Sequence, residues 1–131
     1  MKAKAIKITV DKEISIIDIP RKGIDLLEAL RTEIGGWIEL VHPRTFHNNK
    51  YLQGKVMVVY EDGIRKRKKP NLIGTKLYGN HSTIVGDVLI LKDIFTEYGM
   101  DVGGLTDDEA NQLYEYLKRQ IQRKHGGKNN E

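Results

Sequence analysis

The sequence predicts one α+β domain, a mostly antiparallel sheet of about five strands with two helices packed on one face of it. Three observations lead there. Residues 3 to 10 alternate apolar with polar, as in Ile6, Lys7, Ile8, Thr9 and Val10, the period of a strand with one buried side. A helical pattern stops at Gly35-Gly36, and a strand pattern starts at once in Trp37-Ile38-Glu39-Leu40-Val41. Near the C-terminus, Thr106 followed by Glu109 announces a capped amphipathic helix. Residues 1 to 125 are expected to form the domain, with 126 to 131 as a flexible polar tail.

In order along the chain, Ile14, Ile16 and Ile19 continue the first strand pattern after Asp11-Lys12, which suggests an antiparallel hairpin. The phase slips at Ile16-Ile17, where a bulge is expected, and Pro20 closes the strand. A helix is expected to begin near Asp25, with Asp25 as cap and Glu28 reaching back to it. Leu26, Leu27, Leu30 and Ile34 form its apolar face, and Gly35-Gly36 stop it, because the residue after a helix often adopts a left-handed backbone.

Residues 37 to 41 form the third expected strand, with Trp37 as a packing residue at its head, and Pro43 ends it. A polar loop at 43 to 54 leads to a fourth strand at 55 to 60, closed by the turn signal Glu61-Asp62-Gly63. Residues 72 to 78 read as a short strand or a helical turn. Residues 84 to 91 are almost continuously apolar and predict a central strand. In the last helix Ala110, Leu113, Tyr114, Leu117 and Ile121 make one stripe, Leu105 can staple onto Ala110, and Gly126-Gly127 is the expected stop.

Composition excludes several classes. With 131 residues and no cysteine, the chain needs no staple to bury a core, and it offers neither a disulfide nor a thiolate metal site. No signal peptide pattern marks the start and the apolar runs are strand-sized, so a reducing cytoplasm and no membrane span are expected. The net charge of +4 is local: Arg65-Lys66-Arg67-Lys68-Lys69 holds five of the 22 basic residues, and the other 17 face 18 acidic ones. The whole-surface basic footprint of a dedicated duplex binder is absent.

The Ile34-to-Val41 junction, the strand at 55 to 60 followed by Asp62-Gly63 and Pro70-Asn71, and the run Ile84-Val85-Gly86-Asp87-Val88-Leu89-Ile90 together resemble the DUF3846 family over about residues 3 to 92. The chain departs from the pattern at Leu72, where the resemblance carries arginine. The resemblance implies a phage or mobile-element setting, in which small non-enzymatic proteins often antagonise host defence. It implies no activity.

Catalytic motifs are missing: the chain has no Gly-x-Ser-x-Gly elbow, no His-Glu-x-x-His and no phosphate loop. Gly74-Thr75-Lys76 reads as an ordinary turn. His42 and His47 are five apart across a proline-containing loop with no carboxylate at ligand spacing, and His42, His47, His81 and His125 all read as surface or hydrogen-bonded side chains; Asp62 and Asp87 read as turn and strand-edge residues. No catalytic residue, metal or cofactor is assigned.

The candidate ligand-binding residues are Arg44, Asn48, Lys50, Tyr51, Arg65, Lys66, Arg67 and Asn71. Arginine offers a planar fork of donors that matches phosphate oxygens, while asparagine amides and a tyrosine ring are groups that read a base. These residues predict a non-enzymatic binding protein that sequesters a small phosphorylated nucleotide. The alternatives are a nucleic-acid binder using residues 65 to 69 and an inhibitor docking on a host defence protein. Tyr114 and Tyr116 on the last helix suggest a face for homo-oligomerisation.

Overall fold

Four isoleucines on one strand set the architecture, since Ile14 and Ile16 join the apolar cluster on one side of the sheet and Ile17 and Ile19 the cluster on the other. A strand with apolar residues on both sides needs cover on both. The computed structural model describes residues 2–61, 68–80 and 82–129, with 123–129 as backbone alone.

Strands β1 (Lys2–Ile8), β2 (Ile14–Pro20), β3 (Ile38–Val41), β4 (Lys55–Tyr60), β5 (Val88–Thr96) and β6 (Gly99–Gly103) form one antiparallel sheet in the order β2-β1-β5-β4-β3, with β6 paired to β5. The helices are α1 (Gly23–Ile34), α2 (Leu72–Leu77) and α3 (Asp107–Asn129), with a 3₁₀ turn at Arg44–Phe46. This is the α+β domain expected, with one more strand and one more helix.

The two long helices lie on opposite faces rather than on one. Leu26, Leu30 and Ile34 of α1 pack on Ala5, Val56, Val58, Leu89 and Leu91, while Ala110, Leu113 and Leu117 of α3 pack on Ile6, Ile8, Met57, Val88 and Ile90. Successive residues of β4 and β5 therefore alternate between two apolar layers, which explains their unbroken hydrophobic runs. The same fact removes the bulge expected at Ile16-Ile17: the β1–β2 register runs without interruption from Lys2↔Pro20 to Ile8↔Ile14. The sequence changes phase there because both faces are buried.

Local signals fare unevenly. α1 begins at Gly23 with Lys22 as its N-cap and no side-chain cap, so Asp25 lies inside the first turn rather than before it. Its favourable effect there is charge near the helix dipole. The C-terminal end follows expectation: Gly35 takes φ 89 and its N–H bonds the Arg31 carbonyl at 2.8 Å. The capping box of α3 also forms, with Glu109 N–H to Thr106 Oγ1 at 3.2 Å and Thr106 N–H to Glu109 Oε1 at 2.8 Å. Gly126-Gly127 does not stop α3, which continues to Asn129. Glycine only weakens a helix, by about 1 kcal/mol relative to alanine, and has no side chain to veto the conformation.

Two other expectations change. The strand foreseen at 84 to 91 starts only at Val88, because Gly86 at φ +81 breaks the run and leaves Val85 in an isolated bridge with Pro70. It then continues to Thr96 and turns back as β6 through Glu97-Tyr98. The tip of this hairpin exposes Phe95, Tyr98 and Met100. Residues 72 to 78, open between strand and helix from sequence, form α2. Asp87 caps the β1–β2 turn by accepting from Val10 N–H at 3.0 Å.

Candidate functional site

Pro43 follows β3 and opens the 3₁₀ turn, whose Phe46 is buried in the α3-side cluster. Thr45 Oγ1 then donates to the Leu77 carbonyl at 2.5 Å, tying the loop to α2. Asn49 organises the rest of the loop. Its Oδ1 accepts from Tyr51 and Leu52 N–H at 2.9 and 3.1 Å, an Asx turn, and its Nδ2 donates to the Tyr116 hydroxyl at 2.6 Å. Tyr51 and Tyr116 stack with centroids 4.5 Å apart and planes 19° off parallel. The Lys50 ammonium lies over the Tyr51 ring, 5.1 Å from its centroid.

An open groove of about 630 Å³ runs beside this pair, lined by Lys50, Tyr51, Asn111, Gln112, Glu115 and Arg119. Asn111, Glu115 and Arg119 recur every fourth residue on α3 and so share one exposed face. That spacing is the signal by which sequence reading could have found them. On the other side of Tyr116 a second groove, of about 400 Å³, lies between α2 and α3 over Leu52, with Ile73, Leu77, Leu117 and Ile121 in its walls.

Of the eight predicted ligand residues, the structure brings Lys50 and Tyr51 to the first groove. Arg44 and Asn48 are exposed on the same loop but line neither groove. Arg65, Lys66 and Arg67 lie outside the described residues, as do Asp62 and His81. Asn71 is fully buried and already spent: its Nδ2 donates to the carbonyls of Ile8 and Gly86 at 3.0 and 2.9 Å, and its Oδ1 accepts from Gly74 N–H at 2.8 Å. It caps α2 and joins three segments, so the ligand role expected of it gives way to a structural one. Gly74-Thr75-Lys76 likewise falls within α2, where Thr75 Oγ1 accepts from Ile84 N–H at 2.9 Å.

Several of the remaining polar residues are paired. His42 Nε2 meets Asp93 Oδ1 at 2.8 Å on the surface, and His47 is exposed. Lys92 donates to Glu109 Oε1 at 2.7 Å. Burial pushes the Glu109 carboxyl up, but the Lys92 ammonium and the Thr106 N–H outweigh it and leave its pKa below the ordinary 4.5. Burial holds the neighbouring Lys55 ammonium below its ordinary 10.5, against the pull of Glu109. Lys4 pairs with Asp18 across the β1–β2 hairpin, which raises the lysine and lowers the aspartate. Among the described residues no group of three or more His, Asp or Glu could hold a metal, and no helix is long and apolar enough to cross a membrane.

In fold the chain is similar to a small RNA methyltransferase, HEN1, with a TM-score of 0.55 and 9% identity. The likeness covers 86% of this chain and 16% of that one, so it describes a shared arrangement of elements within a much longer protein. No curated protein matches the chain in sequence. The junction at Gly35-Gly36, the Pro70-Asn71 site and the Ile84-to-Ile90 run all fall within residues 1–118, which match the domain of unknown function DUF3846, and the chain belongs to that family.

Proposed function

We propose that the chain is a non-enzymatic binding protein that takes a small phosphorylated nucleotide into the groove between the 43–54 loop and α3. One observation carries this reading: Lys50 and Arg119, both exposed, line the same groove as a tyrosine whose ring is already held in place by a second tyrosine. The guanidinium and ammonium meet phosphate oxygens. The Tyr51 ring, its plane fixed by Tyr116 on one side, stacks against a base on the other when the Lys50 ammonium swings from over the ring to the phosphate. Asn111 and Gln112 offer amide donors and acceptors to the base edge, and the Glu115 carboxylate accepts from an amino or ribose hydroxyl group.

A protein of this kind works by removing its ligand from solution mole for mole. In the bacterial cytoplasm of a phage or mobile-element setting, which the family resemblance suggests, withdrawal of a nucleotide signal antagonises a host defence that depends on it. The test is thermal unfolding in the presence of linear and cyclic nucleotides. Ligand at a hundred times its Kd stabilises by about 2.7 kcal/mol and raises Tm accordingly. Arg119→Ala and Tyr51→Ala should each abolish most of that rise. No shift with any nucleotide at millimolar concentration overturns the proposal.

A further inference from the structure

The lone tryptophan lies at the C-terminal end of α1, outside the nucleotide groove. Its residue type and its place at the head of a strand predict a core residue, yet Trp37 is 62% exposed. The cause is local. The Arg31 carbonyl accepts from both Gly35 and Gly36 N–H, at 2.8 and 3.0 Å, and the left-handed Gly35 turns the chain outward before β3 begins at Ile38. The Arg31 guanidinium sits 4.6 Å from the Trp37 ring centroid. Its Nε is buried and has no hydrogen-bond partner among the described residues.

A second cation-capped ring adjoins this one. Tyr60 pairs with Ile38, the residue after Trp37, and packs so closely on Gly36 that a Cβ there would lie 2.7 Å from the tyrosine Cε2. The Lys68 ammonium lies 4.5 Å from the Tyr60 centroid. In sequence Lys68 belongs to the basic run Arg65-Lys66-Arg67-Lys68-Lys69. The acidic side chain in the last turn of α1, Glu33, is tied to Lys7 at 2.9 Å. An isolated arginine against a tryptophan is an ordinary surface contact. Beside a second cation and a wall fixed by a glycine, it has the composition of a single-strand stacking site.

We propose that Trp37 is a stacking platform for single-stranded nucleic acid, with Arg31 and Lys68 contacting the phosphates on either side of the stacked base. Tyr60 is a positioning residue: it is only partly exposed and its ring is covered by Lys68 and Gly36. Single strands suit the site because a duplex keeps its bases inside, away from an exposed ring, and because stacking on one face tolerates any base. The site uses none of the residues of the nucleotide groove, so either can stand without the other.

The test is binding of an oligothymidylate of about ten nucleotides, within the usual site size for such proteins. Because the chain has one tryptophan, quenching of its emission reports on this site alone. Stacking predicts strong quenching and, by anisotropy of a labelled oligonucleotide, at least a tenfold loss of affinity in Trp37→Ala, with Trp37→Phe partly restoring it. Lys68→Gln should reduce the slope of log affinity against log salt by about 0.7, the contribution of one phosphate on a single strand. Trp37 is exposed, so its replacement leaves the fold intact, as an unchanged Tm will show. No quenching at low salt, affinity that survives Trp37→Ala, or equal affinity for duplex overturns the proposal. A nucleotide-induced Tm rise that persists in Trp37→Ala separates this site from the groove at Tyr51.

Discussion

The Asn71 side chain donates to the Ile8 carbonyl at 3.0 Å, so the residue that opens α2 also fastens the end of β1. Removing it strands three buried groups at once, the carbonyls of Ile8 and Gly86 and the N–H of Gly74. Each buried group without a partner costs roughly 1–3 kcal/mol. Asn71→Ala is therefore expected to lower stability by about 3 kcal/mol in urea unfolding. Asn71→Asp should lose at least as much, since it replaces two donors with a charge facing two carbonyl oxygens.

Tyr116→Phe keeps the ring stacked on Tyr51 and removes only the hydroxyl that accepts from Asn49. The expected loss is about 1 kcal/mol, because the Asn49 amide is only part-buried and water can replace the phenol. Nucleotide affinity should change little. Tyr116→Ala removes the ring that fixes Tyr51, and there calorimetry should show weaker nucleotide binding alongside the lower stability.

Gly104 lies where the chain leaves β6 and passes β1. A Cβ at this position would stand 2.5 Å from the Ala3 Cβ, which cannot rotate away. The flanking bonds fix the approach: Leu105 and Lys4 exchange N–H···O bonds at 2.7 and 2.9 Å, and Gly104 N–H donates to the Arg21 carbonyl at 3.0 Å. Gly104→Ala must open this contact and should cost about 1–3 kcal/mol, read as a fall in the urea midpoint. Gly54→Ala is a useful contrast, because the space around it is open and only its φ of +77 resists a side chain.

These sites show how far local patterns reach. Thr106, Glu109 and Gly35 were legible because their partners lie within four residues, and cap chemistry is local. Asn71 was legible as special but not as structural: its local cap to Gly74 opens a stretch that reads equally as strand or helix, and its other partners Ile8 and Gly86 are 63 and 15 residues away. Ile16-Ile17 misled because apolar residues on both faces of a strand imitate a phase slip. β6 left no signal: Gly99-Met100-Asp101-Val102-Gly103 has glycine at both ends, and its two-residue turn lacks the Asn-Gly or Gly-x pair that marks a hairpin. Trp37 was assigned to the core by residue type, whereas the backbone turn at Gly35 puts it in solvent. Lys50 and Tyr51 were found in the loop, but their α3 counterparts look like any solvated helix face until the loop is placed beside them.

Glu109 gives a pH dependence whose sign is fixed. Its folded pKa lies below the ordinary 4.5, so its stabilising effect is fully present above that value and is lost as the pH falls through the folded pKa. Since Lys92 and Glu109 side chains keep 26% and 35% of their exposure, solvent screening limits the effect to below about 1 kcal/mol. Urea midpoints measured from neutral pH down to acid should therefore fall slightly less in Glu109→Gln than in the parent chain. Lys92→Met should move the folded pKa of Glu109 upward, visible by NMR titration.

The central position of β5 has a consequence for synthesis. Two of its three neighbours, β1 and β4, precede it in the chain, and each pairs with it directly. As the polypeptide leaves the ribosome, the β1–β2 and β3–β4 pairs can form, but the edge that each offers to β5 stays bare until residues 88 to 96 emerge between them, and the face that α3 covers stays open longer still. The nascent protein therefore passes through an interval in which its halves are sticky and unjoined, and assembly of the domain waits on a segment made late in translation.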